Sequence, residues 1–234
     1  MIAITDYLAK KPYPGRGILI GRSQDNLATY VVYFIMGRSK NSQNRIFVPT
    51  PDGIKTQAYD PAQLEDPSLI IYHPVRRLAD GRFIMTNGDQ TDTLRDFLGR
   101  NETMEAALAT RTFEPDAPNW TPRISGVVNP EGTYVLSILK TCEGNENTEE
   151  RFFFHYDKPQ PGQGHFISTY AGGGSPVPSF EGEPLCTEVP WNDALTMAGD
   201  VWESLNDANK VSLYAASIFT ETGEIDSTII NKHQ

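Results

Sequence analysis

The chain has 234 residues, 38% of them hydrophobic, and carries a formal net charge of −10. That length and apolar content can bury a substantial core, whereas the acidity argues against nucleic-acid binding, which rests on a basic surface. The longest apolar run, residues 30–36, is far too short to span a bilayer, no basic-then-apolar leader opens the sequence, and two cysteines are too few for a disulfide framework or a zinc centre. The expectation is a cytoplasmic protein that touches neither membrane nor nucleic acid.

Residues 1–8 read as a short helix or an arm. Tyr13-Pro14-Gly15-Arg16-Gly17 leads into an apolar strand over 18–21, with Arg16 at its mouth. A second strand over 28–36 is apolar nearly throughout, as in a sheet covered on both faces. Residues 37–45 are polar at every position but the glycine, and they exceed the two to five that a hairpin needs. Surplus loops are where function gathers; the alternative is a solvated basic loop. Strands follow over 46–48 and 54–59, then a helical turn within 60–66. Residues 69–75 read as a strand broken by Pro74, with Tyr72 and His73 just before the break.

A strand over 82–86 runs into Asn87-Gly88-Asp89-Gln90-Thr91-Asp92-Thr93. Small polar groups between a strand and a helix N-terminus are well placed to hold a polar ligand, because helix N–H groups point outward there. The alternative is a plain loop whose Thr91 or Asp92 caps the helix. Short helices are expected over 93–98 and 102–110. Residues 113–123 hold three prolines and read as a rigid extended connector carrying Glu114, Trp120 and Arg123.

A hairpin over 124–128 and 133–141 turns at 129–132, and 143–149 is an acidic solvated turn. Strands follow over 151–156 and 165–170. The glycine-rich 170–176 lacks the spacing and lysine of a P-loop. Trp191, Ala194, Leu195, Ala198, Val201, Trp202 and Leu205 recur at helical spacing after Pro190. A last strand spans 210–220, and the tail from Glu221 reads as loose. Many consecutive strands and few helices give an α+β fold with mainly antiparallel sheets. With no repeat or linker, residues 1–234 read as one domain.

The four histidines are scattered without metal-ligand spacing, a GxSxG elbow is absent, and Met1-Ile2-Ala3 offers no N-terminal nucleophile. No metal and no cofactor is expected. Eleven of the twelve arginines lie at or before Arg123, and guanidinium groups are the better bidentate partners for phosphate. Arginines, a tyrosine, a glutamate and amide-rich loops suit binding, proton transfer and charge stabilisation rather than covalent catalysis.

Tyr13-Pro14-Gly15-Arg16-Gly17-Ile18-Leu19-Ile20-Gly21, the GRS…NR loop from Gly37 to Arg45, Thr86-Asn87-Gly88-Asp89-Gln90-Thr91-Asp92 and the EPDAPN-TPRISGVV segment from Glu114 to Val128 resemble, in that order, the archaeal-type IMP cyclohydrolase family. The resemblance covers about the first two-thirds of the chain, and Tyr170-Ala171-Gly172-Gly173 fits it too. It implies a four-layer αββα sandwich like that of N-terminal nucleophile hydrolases, without their self-cleavage. It also implies ring closure of a formamido-imidazole-carboxamide ribotide, with loss of water, to IMP in purine biosynthesis. Under it the catalytic candidates are Glu114 for proton transfer, Tyr72 as hydrogen-bonding partner, and Arg123. The substrate-binding candidates are Arg16, Arg38, Asn44, Arg45, Asn87, Gly88, Asp92 and Gly173. The partner implied is a small purine ribonucleotide, and a homo-oligomer is compatible with the sequence. Against that family, residues 143–149 and 174–190 read as added material. A purine-nucleotide-binding protein without catalysis and an amidohydrolase on the same fold are the rival readings.

Overall fold

The computed structural model describes residues 1–233. Among them the strands form two sheets. In the first, β1 (Arg16–Arg22) lies between β2 (Ala28–Met36) and β10 (Gln163–Ser168). β11 (Leu185–Glu188) flanks β10, while β12 (Lys210–Phe219) and then β13 (Ile225–Asn231) follow beyond β2. The second sheet keeps chain order: β3 (Arg45–Thr50), β4 (Gly53–Ala58), β5 (Val75–Arg77), β6 (Phe83–Thr86), β7 (Arg123–Val128), β8 (Tyr134–Cys142) and β9 (Asn145–Tyr156), and the loop before β3 holds the one-turn helix α2 (Lys40–Gln43), capped by Ser39. Every strand ladder is antiparallel.

Strand alternation explains why β2 is buried at every position. Tyr30, Val32, Phe34 and Met36 face outward, where α1 (Ile4–Ala9) and α5 (Ala194–Ser204) cover them with Ile4, Leu8, Met197 and Val201. Val31, Tyr33 and Ile35 face inward onto Phe47, Val75, Met85 and Ile124 of the second sheet. That sheet's outer face, with Ile84, Val127 and Leu139, is covered by α3 (Gln90–Gly99) and α4 (Met104–Leu108) through Leu94, Leu98, Met104 and Leu108. The layers therefore run α, β, β, α, as the resemblance implies. Each of these fully buried aliphatic side chains contributes roughly 1.5–3 kcal/mol by leaving water. No helix among the described residues is long and apolar enough to cross a membrane.

Several expected elements moved, each for a local reason. Residues 69–74 are not a strand: Pro74 has no N–H for a ladder, the backbone turns where Ile71 N–H donates to Pro67 O at 2.9 Å, and pairing resumes only at Val75. The helix expected at 93 starts at Gln90. Neither Thr91 nor Asp92 caps it; Asp89 occupies the cap position, and its side chain makes no capping bond. Residues 145–149 are the start of β9, after a two-residue turn with positive φ at Glu143 (51°) and Gly144 (75°). Their polarity is that of an exposed edge strand. The tail from Glu221 is not loose, because β13 pairs along β12. In α5 the stripe is Ala194, Met197, Ala198 and Val201, while Leu195 is 68% exposed.

Candidate active site

The site forms at one end of the sandwich, where β1, β7 and β3 begin and β6 ends. Gly15 sets the entry to β1. At φ +79 it takes a conformation that side chains rarely adopt, and a Cβ there would run into Thr169 Oγ1 and the Tyr170 ring. Arg16 N–H then donates to Thr169 Oγ1 at 3.2 Å. The Arg16 side chain is buried, yet its Nε has no partner, and its Nη2 lies 4.0 Å from Glu114 Oε2.

Glu114 comes from residues 113–123, which fold back as a closed loop instead of extending. Glu114 N–H donates to Thr121 O at 2.9 Å, and the Asp116 carboxylate accepts from Thr121 N at 2.6 Å and from its hydroxyl. The carboxyl of Glu114 is buried, with the residue 1% exposed. Burial pushes it up to about 7, against the pull of Arg16, Arg123 and Arg45. A charge pair at this separation attracts by about 4 kcal/mol at an effective dielectric near 20. Burial outweighs that attraction.

The stretch after β6 supports this carboxyl. Asn87 is fully buried: its Oδ1 accepts from Ile124 N at 2.8 Å and Gln90 Nε2 at 2.9 Å. Its Nδ2 donates to Pro122 O at 2.9 Å and reaches Glu114 Oε1 at 3.5 Å. A Cβ on Gly88 would strike Arg123 Nη1 and Gln90 Oε1 and stand 3.4 Å from Glu114 Oε1, so only glycine leaves this network intact. Arg123 is engaged through two of its three nitrogens: Nη1 bonds Gln90 Oε1 at 2.6 Å and Asp89 Oδ1 at 2.8 Å, and Nε donates to Thr112 O at 2.8 Å. It ties the start of α3 to the Glu114 loop.

Across the sheets lies Arg45, wholly buried. Its Nε donates to Ser42 O at 2.7 Å and Nη2 to Met36 O at 3.3 Å; Nη1 is unpartnered. Among the described residues no carboxylate lies within ion-pair distance of it. Burial, then repulsion from Arg16, holds its pKa below the ordinary arginine value. Tyr72 is within electrostatic reach of both Arg16 and Arg45, and its hydroxyl is 2.7 Å from that of Tyr33. Arg38 stands on the rim. Its Nη1 donates to Gly174 O at 2.8 Å, and its guanidinium lies 4.7 Å from the Tyr13 ring, which stacks on Tyr170 at 5.7 Å. Gly173 borders this rim, where a Cβ would come within 3.3 Å of Pro12 Cγ.

Two of the sequence candidates stand apart. Asp92 pairs with Arg76 at 2.8 Å and Arg95 at 3.1 Å, with its side chain 47% exposed. The Asn44 amide is engaged on both sides by the Asp60 backbone, at 2.8 and 2.7 Å. Sequence reading did not single out Tyr33 or Gln90. Tyr33 is masked by the apolar run of β2, and Gln90 by its place in a polar stretch. Thr121 links Asp116 to the Tyr170 hydroxyl and gave no signal beyond lying among prolines. Clefts of about 280 Å³ beside Tyr214 and 330 Å³ beside His165 lie elsewhere on the molecule.

A carboxyl pushed up toward neutrality beside buried cations with unpartnered N–H groups is the set of groups that acid–base chemistry on an anion calls for. The model of the IMP cyclohydrolase-like protein family matches residues 13–222. An IMP cyclohydrolase of Methanopyrus kandleri is 31% identical over 187 residues, 76% of this chain and 84% of that protein. An IMP cyclohydrolase of Halobacterium salinarum is 28% identical over 132 residues, 55% of this chain and 63% of that protein. The chain belongs to the IMP cyclohydrolase-like family. The enzymatic reading of the sequence, a hydrolase of the cyclohydrolase kind, stands with that membership.

Proposed function

We propose that this chain closes the ring of 5-formamidoimidazole-4-carboxamide ribotide, with loss of water, to give IMP, and that residues 1–234 act as one domain in doing so. The carboxamide nitrogen attacks the formyl carbon of the same molecule. One C–N bond forms, the formyl oxygen becomes an alkoxide, and the nitrogen gives up a proton. That oxygen takes up this proton and a second one released from the formamido N–H; its C–O bond breaks as water departs, and the C=N double bond of the ring forms.

Each step has a group to serve it. Glu114, titrating at about 7, is present in both forms at neutral pH; it takes the proton from nitrogen and returns it to the departing oxygen. Arg16 offers its unpartnered Nε–H to the alkoxide, joined by the Tyr72 hydroxyl. Arg45 and Arg38 serve the phosphate, Arg45 through its unpartnered Nη1. Asn87 and Gly88 keep Glu114 in place and face the base. Arg123 braces the Glu114 loop. Gly173 shapes the rim. Most of the rate enhancement comes from folding the two substituents together in a site already polarised for the alkoxide.

The observation that carries this reading is the Glu114–Arg16 pair: a buried carboxyl beside an incompletely partnered guanidinium. The test supplies the formylated ribotide to the purified protein and follows IMP by absorbance. Steady IMP formation is expected. Tight IMP binding with no turnover would leave only a nucleotide-binding protein and overturn the proposal.

A further inference from the structure

Arg16 and Glu114 reach the site on two separate stretches of chain, so their 4.0 Å separation turns on how those stretches are joined. The Arg16 stretch is fastened to Tyr170. Thr169 N–H donates to Arg16 O at 2.9 Å, Tyr170 N–H donates to Pro14 O at 3.2 Å, and the Tyr170 ring lies where a Cβ on Gly15 would stand. The Glu114 stretch is fastened to Thr121, whose carbonyl accepts from Glu114 N–H at 2.9 Å. Tyr170 and Thr121 are both buried, and they meet through their hydroxyls. A second hydrogen bond between the stretches, from Val177 N–H to Asn119 Oδ1 at 3.2 Å, is only part-buried.

The third partner fixes the direction of the bond. The Asp116 carboxylate accepts from Thr121 N–H at 2.6 Å and from the Thr121 hydroxyl. A carboxylate has no hydrogen to give. The one hydroxyl hydrogen of Thr121 therefore goes to Asp116, and Tyr170 is the donor to Thr121 Oγ1. Burial pushes the Tyr170 hydroxyl up to about 12, so it keeps its hydrogen throughout the working pH range. We propose that Thr121 is a positioning residue for ring closure: as the middle of a donor chain from Tyr170 to Asp116, its hydroxyl braces the Glu114 loop against the Arg16 stretch and holds the carboxyl beside the guanidinium. Burial and the nearby Asp116 charge both push Glu114 up, and both require the loop to stay closed. This inference rests on the cyclisation reading for its kinetic consequence but not for its geometry.

The test is Thr121→Val, which keeps the shape of the side chain and removes its hydroxyl. In the ring-closure assay kcat should fall about tenfold with KM within about twofold, since the hydroxyl aims a group and does not bind substrate. Thr121→Ser, which restores the hydroxyl, should return kcat to within about twofold of the parent. Tyr170→Phe removes the other end of the same bond, so the double variant should lose no more than the larger single loss. Independently of activity, the carboxyl carbon of Glu114, identified by its absence from the NMR spectrum of Glu114→Gln, should titrate at about 7 in the parent and at lower pH in Thr121→Val. Val201→Ala loosens the core under α5 without touching the chain of donors; it should lower the unfolding temperature and leave kcat and the Glu114 titration unchanged. A parent-like kcat in Thr121→Val, an unmoved Glu114 resonance, or losses that multiply in the double variant would each overturn the assignment. A parent protein inactive on the ribotide whose Glu114 resonance still moves in Thr121→Val would refute the proposed reaction and leave the brace in place.

Discussion

Strand β1 begins and ends with an arginine, and the two have opposite surroundings. Arg22 is 5% exposed. Its Nε donates to Asn26 Oδ1 at 3.0 Å, Nη1 to Thr29 Oγ1 at 2.9 Å, and Nη2 to the Asn26 carbonyl. Arg16 is 8% exposed, leaves Nε unpartnered, and keeps Glu114 at 4.0 Å. One end of the strand has satisfied its cation with neutral groups from the adjoining turn. The other holds a cation beside a buried carboxyl, with one N–H left without a protein partner. Burial is nearly equal in the two; what differs is the partners of their donors.

The contrast extends across the sandwich. At the Arg22 end, Tyr134 bonds His165 Nδ1 at 2.7 Å and Tyr156 stacks on the same imidazole at 3.8 Å. Burial pushes His165 down to about 4. At the Arg16 end burial pushes Glu114 up to about 7. In both cases the neutral form is favoured, but only Glu114 is left titrating where enzymes work.

Kinetics give the largest expected separation. Glu114→Gln and Arg16→Gln should each lower kcat by about 10²–10³, the effect of removing a positioned acid–base group or an oxyanion donor. Arg22→Gln should leave kcat and KM near the parent and lower stability by about 1–3 kcal/mol, because it strands the buried Thr29 hydroxyl. Steady-state assays with parallel denaturant melts check both. An Arg22 variant as slow as the Arg16 one would break the comparison.

The pH dependence of stability has two arms of opposite sign. The folded pKa of Glu114 lies above its unfolded value near 4.5, so the folded state binds the extra proton between those values. Its contribution is complete below 4.5 and is lost as pH rises through about 7, amounting to about 3 kcal/mol at 1.36 kcal/mol per unit. His165 does the reverse: its folded pKa lies below the unfolded 6.5, so its contribution is present above 6.5 and is lost as pH falls toward 4. Between about pH 4.5 and 6.5 the two slopes oppose each other. Denaturation midpoints across that range should therefore climb with pH in Glu114→Gln, where only the histidine arm remains, and fall with pH in His165→Phe. Parallel curves for parent and Glu114→Gln would refute the burial of this carboxyl as the cause of its shift.

The same comparison shows what the sequence could and could not convey. Residues 28–36 announce a strand covered on both sides because period-two alternation vanishes when two different cores take the two faces. The hairpin through 129–132 was legible for the reason that turns are: Gly132 at φ 90 is chemistry local to four residues. The Glu114 loop was legible in its residues and not in its path, because three prolines exclude regular structure without saying that Asp116 will fold the chain back on Thr121. The β13 strand was hidden because a polar edge strand has no apolar repeat to read; its pairing with β12 is settled by a partner earlier in the chain. Tyr33 was hidden by the opposite cause, since in an apolar run its ring explains its presence and the hydroxyl draws no notice. Long-range partnership separates Arg16 from Arg22, and no window of sequence contains it.

Asp92 gives the smallest expected effect and the sharpest boundary for the site. It shares the stretch after β6 with Asn87, which is fully buried and bonded into the Glu114 network. Helical geometry then turns the two apart, and Asp92 faces Arg76 and Arg95 with its carboxylate nearly half exposed. Exposed pairs of this kind contribute about 0–1 kcal/mol, reduced further by salt. Asp92→Asn should therefore lower stability by less than about 1 kcal/mol and move KM and kcat by less than about twofold, whereas Asn87→Ala leaves the buried Ile124 N–H without its side-chain acceptor and the Gln90 amide with only Ile124 O, and should lower both stability and kcat. Steady-state kinetics at low and moderate salt distinguish the outcomes: a KM for Asp92→Asn raised tenfold at both ionic strengths would carry the substrate site past the first turn of α3, and the boundary between the buried Glu114 network and the exposed ion pairs would have to move with it.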